Sequence, residues 1–167
     1  RAREILMTVT ASGRRLALGG AVAIIGGVVA LAGALLPWER IDPGLAASAG
    51  TVSMPLGIEF YDGKIVVFLA WLVIVSSSVR LFGDALPAGI ANLVTRLTGS
   101  GAGLSLLSGA IIATFVLLNL KDIGSAIDLW NRAAPGSASV GVGLYLDLAA
   151  GLTMMVGGGI GVISGRR

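Results

Sequence analysis

The residue whose type and position could do chemistry is Asp147. It is the one carboxylate inside the apolar stretch LYLDLAAGLTMMVGGGIGVI, residues 144–163. Such a run is long enough to cross a bilayer. An unpaired charge there costs at least ~2.5–3.5 kcal/mol on insertion scales, so it must have a use or a partner. A carboxylate in that setting can hold a proton or a cation, or accept a hydrogen bond from another helix or subunit. It can also sit harmlessly near the outer interface beside Tyr145 if its helix starts late, because residues 148–164 alone nearly span the hydrocarbon. A proton pathway normally needs more than one titratable group, and the apolar runs offer no second acid.

The other candidates for chemistry are weaker. The chain has 0 histidines and 0 cysteines. That removes thiolate nucleophiles, Cys/His zinc sites, His-ligated haem and histidine general bases. Gly157-Gly158-Gly159-Ile160-Gly161 has the glycine content of a phosphate cradle but not its context, since no strand precedes it and no lysine follows. Glu39, Asp42, Glu59 and Asp62 are separate loop carboxylates, and nothing in their spacing makes them converge on a metal or an acid–base pair. The net charge of +3 does not indicate nucleic acid, because the basic residues flank apolar runs instead of forming a patch. Trp38 and Trp130 fall at expected membrane interfaces, the belt position for tryptophan, and Trp71 lies inside a run. No catalytic residue, metal or cofactor is expected.

Small residues at four-residue spacing are the clearer signal. Gly157, Gly161 and Gly165 share one helix face; so do Gly19, Ala23 and Gly27, and so do Ser105, Gly109 and Ala113. Small faces let helix backbones approach closely in a membrane. Three such faces exceed the evident needs of one bundle, so they are expected to serve a protein partner as well. These nine residues and Asp147 form the candidate interaction set.

The elements that must position them follow from composition. The 167 residues are 55% hydrophobic and 13% charged, with a mean hydropathy of +0.92. Soluble domains carry roughly 25% charged residues. The apolar residues concentrate in four runs, predicting an all-α, four-transmembrane-helix bundle with helices at about 16–36, 64–82, 101–120 and 144–164. The first run, 21 residues and uncharged, is too long for a cleaved signal core of usually about 7–15 residues. Pro37 stops it. Residues 1–15 read as a short basic tail. In the loop that follows, Val52, Met54, Leu56, Ile58 and Phe60 alternate with smaller or polar residues, which predicts a short hairpin or bent strand. The second helix lacks a small face and is expected to look toward lipid. Short interfacial helices are expected at about 90–97 and at Ile123, Ile127 and Trp130, within loops on either side of the third span. Eight basic residues (Arg1, Arg3, Arg14, Arg15, Arg80, Arg96, Arg166, Arg167) fall on one side and four (Arg40, Lys64, Lys121, Arg132) on the other. The positive-inside rule then places both termini in the cytoplasm, for a multi-pass protein of the plasma membrane.

Leu35-Leu36-Pro37-Trp38 closing the first helix, an outer loop, and Asp62-Gly63 opening the second make the chain resemble small four-helix integral membrane proteins of actinobacteria. That resemblance covers the whole chain as a topology. It implies an accessory subunit of a larger envelope complex, such as a lipid-import machine, and no catalytic residue. Junction proteins of the claudin type share the topology, but their cysteines and outer-loop signature are missing here. The expected function is therefore a non-catalytic accessory or structural subunit of a larger membrane complex, an envelope lipid or solute transporter, docking through its small helix faces. Its expected partners are membrane lipid and that larger complex, not nucleic acid. The alternative is a self-assembling channel or small transporter with Asp147 near its pathway.

Overall fold

Four helices carry the chain across the hydrocarbon in the computed structural model, which describes residues 2–41, 56–82, 101–133 and 138–165 and a few positions between 85 and 93. Helix α1 is Ala2–Ala34, α2 is Tyr61–Phe82, α3 is Gly101–Ala133 and α4 is Val142–Gly165. Each contains a segment of 22 residues or more that is long and apolar enough to span a membrane. The protein is a multi-pass, four-helix transmembrane bundle.

Helix α4 is the central element. It packs along α1 on one side and α3 on the other, while α2 closes the bundle against α1 and, more lightly, α3. The reason lies in its composition. Gly143, Gly151, Gly157, Gly158 and Gly161 are all buried, together with Leu144, Asp147, Ala150, Met154 and Ser164. A helix shaved smooth on two sides can be approached closely from both. Helix α2 buries the smallest share of its span, and its Phe68 and Trp71 point outward, as its lack of a small face predicts.

Several boundaries differ from the sequence reading. Helix α1 begins at Ala2, so the basic tail is helical and continuous with the first span. Helix α3 does not end at about residue 120. It runs unbroken to Ala133, and the expected interfacial helix at Ile123, Ile127 and Trp130 is its last three turns. Nothing between Asn119 and Arg132 breaks a helix: there is no proline, and Gly124 is a lone glycine. Polar residues ended the apolar run there without ending the helix. The 33 residues make a rod of roughly 50 Å at 1.5 Å per residue, against about 30 Å of hydrocarbon.

Among the described residues the β-structure is a two-stranded antiparallel sheet, and it joins two loops. Strand β1, Glu39–Ile41, pairs with β2, Ala138–Val140, so that Glu39 faces Val140, Arg40 faces Ser139 and Ile41 faces Ala138. Residues 51–55 of the alternating stretch lie outside the described residues. Within its described part, Leu56 bridges to Pro37 and Gly57–Glu59 forms a 3-10 turn, not an extended strand. The expected interfacial helix at about 90–97 falls mostly outside the described residues.

Candidate functional site

The most densely determined place in the molecule is the end of the bundle that carries the sheet, around Trp38 and Asp147. Helix α1 ends at Ala34, three residues before Pro37, and the chain then turns over the mouth of the bundle. Backbone bonds fix this turn: Gly141 N–H donates to the Trp38 carbonyl at 2.7 Å, Gly143 N–H to Pro37 at 3.0 Å, and Gly57 N–H to Leu36 at 3.1 Å. The glycines are required by the closeness. A Cβ on Gly143 would lie 2.5 Å from the Gly33 carbonyl oxygen and 2.7 Å from that of Leu36. One on Gly57 would lie 2.6 Å from Trp38 Cε2. Real side-chain carbons do not come so near, so these backbones could not meet with any larger residue.

The turn drives the Trp38 ring into the bundle, where it is 0% exposed. Phe60 stacks on it, with ring centroids 5.4 Å apart and planes 13° from parallel. Its indole N–H reaches Asp147 on α4, Nε1 donating to Oδ2 at 3.0 Å. Asp147 is also 0% exposed. Its other oxygen, Oδ1, is buried without a hydrogen-bond partner. Gly33 of α1 lies beside that carboxyl group; a Cβ there would fall 2.7 Å from Asp147 Cγ. Of the readings open for Asp147, a hydrogen bond is the one observed, but its donor lies in the turn after α1 and not on another helix. The residue sits in the second turn of α4, close to the end of the span, yet it does not face the interface beside Tyr145, which points outward. Trp38 is corrected in the same way: it is an internal donor, not a belt residue.

The remaining candidates are distributed along the helix contacts. Gly19 and Ala23 of α1 meet Gly157 of α4: a Cβ on Gly157 would lie 2.6 Å from Ala23 N, and one on Gly19 2.8 Å from the Gly157 oxygen. Gly27 accommodates Ile74 and the Ala70 carbonyl of α2. Gly109 and Ala113 of α3 receive Gly151 of α4, where a Cβ would lie 2.9 Å from the Gly109 oxygen and 3.0 Å from Ala113 N. Gly161 faces Ala102 of α3. Ser105 is buried, its hydroxyl donating to the Gly101 carbonyl at 2.8 Å. Only Gly165 has nothing within 4 Å. The expectation that these faces serve an outside partner is thereby corrected: the bundle uses eight of the nine small residues internally. The count of small faces misled because α4 carries two and therefore needs a complement on each neighbour.

Two polar pairs in the same cap escaped the sequence reading. Asn119 Nδ2 donates to Asp62 Oδ2 at 2.7 Å and to the Phe115 carbonyl at 2.9 Å, pinning α3 to the start of α2. Asn131 donates from Nδ2 to the Ala138 carbonyl and accepts from the Ala138 N–H at its Oδ1, both at 3.0 Å. Its amide thus imitates a strand partner for β2. Neither asparagine carries a signal in the sequence, because the partner of each lies on another element. Among the described residues no group of acids converges as a metal site would require, and Asp42 lies outside them. No protein-family model matches the sequence, and neither curated proteins nor solved structures show a match.

Proposed function

We propose that this chain is a non-catalytic accessory subunit of a larger membrane complex that moves lipids or solutes, lying in the plasma membrane with both termini cytoplasmic. The glycine faces no longer supply the docking surface, since the bundle consumes them. The observation that carries the proposal is the projecting end of α3. Beyond Asn119, Ile123 and Ile127 turn inward to the core, while Leu129 and Trp130 are 67% and 54% exposed. With α3 pinned to the start of α2 at Asn119, these two side chains stand about 15 Å further along the helix axis. That distance is about half the thickness of a hydrocarbon core beyond the polar Asn119–Asp62 pair. Exposed apolar side chains on a rigid rod suit a protein partner. The orientation rests on the eight-to-four asymmetry of basic residues across the two ends.

Purification from native membranes in mild detergent, followed by mass spectrometry, tests the proposal. A stoichiometric larger partner is expected, lost on the double change Leu129→Gln and Trp130→Gln. Recovery of homo-oligomers alone would refute it. The second reading, a channel or small transporter, is favoured by one observation, the unpartnered Oδ1 of Asp147. It requires an ion flux in liposomes that Asp147→Asn abolishes.

A further inference from the structure

A cleft of about 330 Å³ opens at the sheet end, lined by Pro37, Arg40, residues 139–142 and Tyr145. That is within the usual size range of a ligand pocket. Its chemistry is lopsided. Arg40 and Ser139 are cross-strand partners and so share one face of the sheet. Neighbours on a strand alternate sides, so Glu39 takes the other face. Among the described residues no carboxylate pairs with Arg40. The cleft therefore holds one exposed guanidinium, a hydroxyl and a phenol, set over apolar walls.

The cleft adjoins the exposed side of α4, to which its Val142 and Tyr145 belong. Below it, Val142, Tyr145, Ala149, Leu152, Val156 and Ile163 are all exposed along α4. They recur at intervals of three or four residues down to Val156 and of seven from there to Ile163, which keeps them on one apolar side of the helix. An anion-binding group at the top of an apolar track matches an amphiphile whose head is an anion and whose tail is hydrocarbon. A free anion would have no use for the track, and a neutral lipid would have less use for the guanidinium. Arg recognises phosphate oxygens through paired N–H donors.

We propose that this cleft seats the phosphate of an anionic phospholipid on Arg40, with Ser139 and Tyr145 beside the headgroup and an acyl chain along the Val142–Ile163 face of α4. The site shares no lining residue with the Leu129 and Trp130 surface and does not depend on the subunit proposal.

The test uses the full chain, purified in detergent after reconstitution with a mixture of phosphatidylglycerol and phosphatidylcholine, with bound lipid read by native mass spectrometry. The wild-type chain is expected to retain phosphatidylglycerol selectively. Arg40→Gln is expected to weaken retention roughly fivefold, the contribution of one cation facing an anionic headgroup. Arg40→Lys should keep most of it, and Arg132→Gln, a change to another exposed cation at this end, should keep all of it. Ser139→Glu sets a carboxylate against the headgroup while leaving Arg40 in place, and should expel the lipid even if Arg40→Gln folds poorly. Equal losses for Arg40→Gln and Arg132→Gln would overturn the proposal, since that is general surface charge. So would displacement of the lipid by inorganic phosphate, which would make this a free-anion site.

Discussion

Trp38 and Asp147 stand 109 positions apart in sequence and share one hydrogen bond that lipid cannot replace. Removing the donor strands a carboxylate that already has one unpartnered oxygen. Trp38→Phe is therefore expected to destabilise the bundle by about 1–3 kcal/mol, the cost of leaving a buried polar group unsatisfied. Asp147→Asn keeps an acceptor oxygen for the indole, so it should stay within about 1 kcal/mol of wild type, the scale of a single hydrogen bond in a membrane. Asp147→Leu combined with Trp38→Phe should cost less than the sum of the two single changes, because neither polar partner remains. Unfolding in mixed micelles, with one titration for each variant, measures all of these. A sum that is simply additive would show that the bond contributes nothing. The sequence exposed Asp147 as an anomaly by its charge, but its partner came from a residue that composition alone assigns to the interface.

At the scale of the element, α4 works because it lacks side chains where α1 and α3 approach. Gly157→Val would press a branched side chain onto the Ala23 and Gly19 backbone, and Gly109→Val would do the same to the Gly151 carbonyl, 2.5 Å from the position of a Cβ there. Each is expected to cost about 1–3 kcal/mol by overpacking, seen as a lower midpoint in the same unfolding assay. Gly124 is the contrasting case. It lies in the last three turns of α3 with nothing within 4 Å of a Cβ, so Gly124→Ala should stabilise the helix by roughly 0.5–1 kcal/mol. A destabilising Gly124→Ala would mean that something packs on that face of α3. The four-residue spacing announced which helices are smooth. It could not say against whom, because a helix face looks the same whether its neighbour is in the same chain or another.

Across the whole molecule, the two ends differ in charge and in build. One carries Arg14, Arg15 and Arg80; the other carries the sheet, the Trp38 turn and the projecting α3. The absence of cysteine makes the orientation directly testable. A single cysteine at Ala126, exposed on the projecting segment, should react with a membrane-impermeant maleimide in intact cells. One at Gly13, exposed where the apolar span of α1 begins, should react only after permeabilisation. The reverse pattern would invert the topology, and with it the side on which a partner and the Arg40 cleft are reached.

Hydrophobic run length and the scarcity of charge settled by themselves that the chain crosses the membrane four times, because an unsatisfied backbone in hydrocarbon admits few alternatives to long helices. The same local rule fixed the stop ahead of Pro37 and the outward look of α2. Tertiary structure alone decided the rest: that strands from two distant loops pair, that α3 runs on past its apolar run, that the small faces are spent on one another, and that Trp38 turns inward to Asp147. These are contacts between residues far apart in the chain, and their free energy exists only when the helices are side by side. No local pattern carries it.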